Sequence, residues 1–112
     1  MTAPWNDELF ENFKRLRDAF RSAKKDKDYQ HVLSIGLSIL ELDKSASFLQ
    51  IATPIFQKDM ADACTKLGDI KSAIEYLVTA KAGFVERKRS PGDWQKDIDL
   101  IDRKLAKLRT CA

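Results

Sequence analysis

Apolar residues recur along this chain with the period of a helix, and four polar breaks cut the pattern into five segments. The first segment places Leu9, Phe13, Leu16, Phe20 and Ala23 at steps of 4, 3, 4 and 3, which sets all of them on one helical face. Asn6 or Asp7 can cap its start, and Asp7 and Glu8 suit the positive end of the helix dipole. The pattern fades in the charged turn "KKDKD". A second segment begins near Asp28 or Tyr29 and runs to about Leu42. Its apolar residues, Val32, Leu33, Ile35, Leu37, Ile39, Leu40 and Leu42, cover nearly every face, so it reads as a central, buried helix. Gly36 sits in its middle, where glycine costs about 1 kcal/mol relative to alanine unless a neighbour packs closely on it. A strand over "HVLSIGLSILEL" would lack a second strand to pair with.

The stretch "DKSASFLQIATPIF" admits two readings. Ser45 or Ser47 caps a helix that kinks at Pro54, or Thr53 is the cap and Pro54 the first helical residue. Either way the third helix carries Ile55, Phe56, Met60, Ala63, Cys64 and Leu67, and Gly68 ends it in the left-handed conformation. The fourth helix follows at once from about Ile70 to Arg87, with Ile70, Ala73, Ile74, Leu77, Ala80 and Phe84 inward. In "ERKRSPGDW", Ser90, Pro91 and Asp93 have the form of a capping box. The fifth helix then carries Trp94, Ile98, Ile101, Leu105 and Leu108 inward, with Trp94 as a core anchor. Its acids Asp93, Asp97, Asp99 and Asp102 lie early and its bases late, as the helix dipole favours. The expected fold is all-α, five helices with antiparallel neighbours in a single domain over residues 1–112.

The stretch "KLGDIKSAIEYLVTA", with Ala61 just upstream, resembles a tetratricopeptide (TPR) unit. Ala61, Ala73 and Ala80 stand at that family's small positions, Leu67, Gly68 and Asp69 match its turn, and Leu77 takes its large apolar place. The similarity spans residues 54–87. Upstream, Tyr29 fits the aromatic after the turn, but Phe20, Val32 and Ile39 stand where small residues are expected, and the two turns lie 41 residues apart. The resemblance implies two helix pairs and a C-terminal capping helix, used to bind another protein. It also implies that first helices line a groove. Lys14, Arg17, Arg21, Lys24 and Lys25 of the first helix would then face it, with Lys58, Asp62 and Lys66 of the third. Two pairs and a cap fall short of the roughly three repeats a stable array needs, so the bundle closes on itself or dimerises.

Composition narrows the function. The 112 residues are 44% hydrophobic and 33% charged, which fits a folded, helix-rich chain. The net charge of +3 is spread thinly: seven bases against five acids in residues 1–27, five against seven in 28–83, eight against five in 84–112. That is too weak to imply nucleic acid. No apolar run approaches the roughly 18 residues of a membrane span, and "MTAPWNDELFENFK" lacks the form of a secretory signal. Cys64 and Cys111 make no disulfide framework or zinc site, so a cytoplasmic setting is expected.

Lys14, Arg17, Arg21 and Lys24 step by 3, 4 and 3, with Lys25 adjacent, and form a basic stripe beside the apolar one. An acidic peptide segment or a free C-terminal carboxylate suits such a groove. The alternative is a solvated face paired with Glu11 and Asp18. "VERKRS" is a phosphate contact or a stabilised helix end. His31 is the only histidine and has no nucleophile motif beside it. Asp93, Asp97 and Asp99 lack the glycine and terminal glutamate of a calcium loop. Trp5 is exposed or packs as a hydrophobic staple. No phosphate loop or metal-ligand set is present, so neither cofactor nor metal is expected. The functional expectation is a non-catalytic adaptor. The alternatives are a basic nucleic-acid-binding or regulatory protein, and a homo-oligomeric structural protein.

Overall fold

The computed structural model describes residues 6–111; Trp5 lies outside them, as does the side chain of Cys111. The chain is all-α. Its five helices are α1 (Asp7–Lys25), α2 (Tyr29–Ser45), α3 (Thr53–Lys66), α4 (Ile70–Arg87) and α5 (Gln95–Cys111), with a short 3₁₀ turn at Ser47–Leu49. No strand occurs among the described residues. The chain divides between Thr53 and Pro54 into two compact units.

In the first unit α1 packs against α2. Asn6 caps α1, its side chain accepting the Leu9 N–H at 3.1 Å. The inward face of α1 deepens toward its C-terminal end, where Phe20 and Ala23 are buried. On α2 the buried positions are Val32, Gly36, Ile39 and Leu42. Gly36, in mid-helix, is itself among the buried positions. The helix runs to Ser45, one turn past the point its apolar pattern marks.

In the second unit α3 begins at Thr53, so Pro54 lies in its first turn and does not kink it. Buried Pro54 packs on α4 opposite Gly83, where an added Cβ would stand 2.5 Å from the proline Cγ. α4 in turn packs on α5. Two ion pairs join α3 to α5: Lys58 to Asp97 at 2.9 Å and Asp62 to Lys104 at 2.7 Å. Their order along both helices makes α3 and α5 run in the same direction. Lys81 to Asp102 at 2.6 Å, with Phe84 beside Trp94, sets α4 antiparallel to α5.

The start of α5 differs from the sequence expectation. The Asp93 carboxylate does reach back, accepting the N–H groups of Arg89 and Ser90 at 3.0 Å each. That closes a turn ahead of the helix, because Trp94 takes a left-handed φ of 60° and the helix begins only at Gln95. Trp94 is therefore not a core anchor. It is 37% exposed and lays its ring against Phe84 with 5.2 Å between centroids. The buried residues of α5 are Ile98, Ile101, Leu105 and Leu108.

Each unit contains a helix corner, and the two corners are built alike. At the end of α1, Lys27 adopts φ 57°. Its N–H donates to the Lys24 carbonyl at 3.1 Å and the Asp28 N–H to that of Ala23 at 2.9 Å. At the end of α3, Gly68 adopts φ 85°. Its N–H donates to Thr65 at 3.1 Å and the Asp69 N–H to Cys64 at 2.9 Å. Both are Schellman ends, which satisfy the last helical carbonyls through one left-handed residue. The next residue caps the following helix in each case. Asp28 (φ −88°, ψ 79°) accepts the His31 N–H, and Asp69 (φ −91°, ψ 78°) accepts the Ser72 N–H.

The buried stripes beside the corners follow the same offset. Phe20, Ala23, Val32, Gly36 and Ile39 correspond to Ala61, Cys64, Ala73, Leu77 and Ala80, each pair 41 residues apart and every member buried. Sizes on the second helices are inverted. α2 reads large, small, large where α4 reads small, large, small.

Candidate functional site

Along α1 the basic stripe is partly engaged. The Lys14 ammonium pairs with Glu11 at 2.8 Å and sits 5.0 Å from the Phe10 ring centroid, within the reach of a cation–π contact. The Arg17 guanidinium lies 5.9 Å from the Phe13 centroid. Its Nε is buried without a hydrogen-bond partner, and the nearest Asp18 oxygen stands 3.7 Å away, beyond hydrogen-bond reach. Arg21, Lys24 and Lys25 are exposed one to two turns further on. The charged ends of Arg21 and Lys25 have no partner among the described residues. The expected pairing with Glu11 and Asp18 thus takes up the N-terminal half of the stripe and leaves two cations in the C-terminal half.

The α3 candidates behave differently. Lys58 and Asp62 are committed to Asp97 and Lys104 of α5. The two pairs have opposite sense, lysine to aspartate and then aspartate to lysine, so sliding α3 along α5 would set like charges together. Pairs this exposed contribute about 0.5 to 1 kcal/mol each, and their larger effect is on register. Lys66 stands exposed at the end of α3. Within its unit it is not joined to the Lys58 and Asp62 pairs. Sequence reasoning missed these pairs because α5 was read only for its dipole. The available signal was the charge order itself, base then acid on α3 against acid then base on α5.

The remaining candidates have local explanations. Arg87 donates to the Gly83 carbonyl at 3.2 Å, and Lys88 donates to the Gln95 side chain at 2.9 Å. Much of the "VERKRS" cluster therefore secures the end of α4 and the approach to α5. His31 is 68% exposed, and its Nδ1 lies 2.6 Å from the Asp28 carboxylate. That hydrogen bond raises the imidazole above its ordinary pKa and holds the Asp28 carboxyl below the usual carboxylate range. Asp69 is lowered likewise, by hydrogen bonds from Ser72. Cys64 is buried, and desolvation pushes its thiol up, away from the reactive thiolate. Among the described residues no three acidic, histidine or cysteine side chains gather as a metal site would need. No described helix is long and apolar enough to cross a membrane.

Each unit has a hollow on its surface among the described residues. In the first unit a wide-open depression of about 620 Å³ lies between α1 and α2, lined by Asn12, Leu16, Leu37, Ser38 and Glu41. In the second unit a deeper cleft of about 280 Å³ lies beside the α3–α4 corner. Ile70, Leu77 and Leu108 line it together with Asp62, Lys104 and Lys107. Neither hollow was legible in the sequence, since each draws its lining from separate helices. No family model, curated protein or solved structure matches the chain.

Proposed function

We propose that this protein is a non-catalytic interaction module, a pair of TPR-like helical corners that hold an acidic segment or C-terminal carboxylate of a partner protein. The observation that carries this reading is the α1 stripe, where Arg21 and Lys25 are exposed cations with no partner among the described residues. Cations at helical spacing on a packed helix present charge-assisted donors from a fixed backbone, so binding has only side-chain freedom left to restrict. The matched corners support the TPR-like part of the proposal, because the same left-handed turn and aspartate cap occur at both. Arg87 and Lys88 are drawn into bonds within their own unit, which leaves α1 as the better basic surface and disfavours a nucleic-acid role for that cluster.

Fluorescence anisotropy with labelled peptides rich in glutamate, against neutral peptides of the same length, tests the proposal. The acidic peptides bind, and both R17E/R21E and R21E/K25E weaken them at least about tenfold, with circular dichroism unchanged. Arg17 is half-buried, so the second variant guards against loss of fold in the first. Undiminished binding by both variants would overturn the proposal.

A further inference from the structure

The connection between α4 and α5 presents a hydroxyl that its own turn does not use. Lys88 leaves α4 in an extended conformation (φ −64°, ψ 132°), and Arg89, Ser90, Pro91 and Gly92 are all exposed. The Ser90 N–H donates to the Asp93 carboxylate and the Ser90 carbonyl accepts the Asp93 N–H, at 3.0 Å each. The Ser90 Oγ has no partner among the described residues. Its neighbours select the enzyme that would use it. A protein kinase takes its substrate as an extended segment. Arginine three residues before the acceptor suits carboxylates in the kinase groove, and proline directly after it suits a subsite that asks for no backbone N–H. Among the serines and threonines of the chain only Ser90 has both, in Arg87 and Pro91. Thr53 shares the following proline, but it starts α3 and Pro54 is buried. Arg87 is the last residue of α4, and a helix end frays into the extended form that a kinase groove takes.

We propose that Ser90 is a phosphorylation site, read by a protein kinase through Arg87 and Pro91, and that the phosphate opens the α4–α5 turn. The Ser90 Oγ attacks the γ-phosphorus of ATP. The bond from that phosphorus to the bridging oxygen breaks, ADP leaves with the electron pair, and the hydroxyl proton passes to the kinase's catalytic carboxylate. The new phosphate carries up to two negative charges. It hangs, through two carbons, from the nitrogen that the Asp93 carboxylate holds at 3.0 Å. The two anions stand well inside the screening length of about 8 Å and repel. The phosphate also lies just past the C-terminal end of α4, where the helix dipole opposes it. Asp93 therefore gives up the N–H groups of Arg89 and Ser90. Trp94, next in the chain, is held at a left-handed φ of 60°, which a bulky residue leaves once its turn lets go. The site uses none of the α1 stripe and goes beyond the interaction-module reading.

The test uses the full chain, magnesium-ATP and a purified protein kinase selective for arginine at the third position before the acceptor and proline directly after it. Mass spectrometry locates the phosphate. A single phosphoryl group on Ser90 is expected, and none in S90A. R87A and P91A each slow incorporation at least about tenfold, with circular dichroism unchanged. The opening is read in the phosphorylated protein. The Arg89 amide exchanges its hydrogen at least about tenfold faster than in the unmodified chain. In a W5F background Trp94 is the one tryptophan left, and acrylamide quenches its emission more after phosphorylation. In D93N the repulsion is absent, and the phosphate changes the Arg89 exchange rate by less than about twofold. No incorporation at Ser90, preference for another serine or threonine, or full incorporation in both R87A and P91A overturns the site. Phosphorylated protein with unchanged Arg89 exchange and unchanged Trp94 quenching overturns the opening, and the proposal falls with it.

Discussion

Lys27 and Gly68 hold the same corner position at different cost. A residue with a Cβ loses roughly 1–2 kcal/mol in the left-handed region, and glycine does not. At Gly68 an added Cβ would touch nothing within 4 Å, so Gly68→Ala isolates the backbone cost, and a loss of about 1 kcal/mol is expected. Lys27→Gly should run the other way and stabilise by about 0.5–1 kcal/mol, the relief of φ being partly offset by unfolded-state entropy. Urea denaturation midpoints for both variants, with slopes unchanged, check the pair. The caps differ as well, because only the first corner carries a histidine. The raised His31 pKa means its contribution is present in full below the ordinary imidazole value and lost as pH rises through the raised one. The lowered Asp28 contribution is present above the ordinary carboxylate value and lost as pH falls through the lowered one. The first corner is therefore strongest at mildly acid pH. An NMR titration should place the His31 midpoint above the free-imidazole value of about 6.5, and Asp28→Asn should bring it back toward that value.

At the scale of elements, periodicity and capping were enough to read α1, α2 and α4 almost to their ends, since burial of one face sets both the period and the stops. The start of α5 misled for a physical reason. Trp94 lies four residues before Ile98 and so fits the period, but period says nothing of backbone φ, and a left-handed Trp94 starts the helix one residue late. The choice at Pro54 was also closed by packing, not by local preference. Its ring sits against Gly83, a residue whose importance sequence alone does not announce, because the reason for it lies 29 positions away. Gly83→Ala would gain helix propensity yet place a Cβ 2.5 Å from the Pro54 Cγ, and a proline ring cannot swing aside. A net loss of about 1–3 kcal/mol in thermal or urea unfolding is expected. Gly92→Ala, with nothing within 4 Å of the added carbon, should stay within about 0.5 kcal/mol of wild type.

At the scale of the molecule, the all-α fold was legible because five apolar stripes and their breaks are written locally. The candidate site was legible only as a list of charges. Which charges are consumed depends on helix order and register, and Lys58 and Asp62 turned out to face α5 partners that no local pattern names. The likeness of the two corners was half visible for a related reason. Val32 and Ile39 stand where small residues were expected, and the compensating small residue, Gly36, sits between them. Total side-chain size on the stripe is thus conserved in kind but rearranged in shape. The triple variant V32A/G36L/I39A, which writes the α4 stripe into α2, should cost at least about 2 kcal/mol in urea unfolding. A neutral result would mean that bulk alone matters there. Two near-copies in one chain carry a hazard during folding, since a second helix can dock in the seat of its counterpart and trap the chain in a wrong assembly. The inverted stripes act against that error: α2 carries a notch where α4 carries a ridge, so each is a key cut for its own lock.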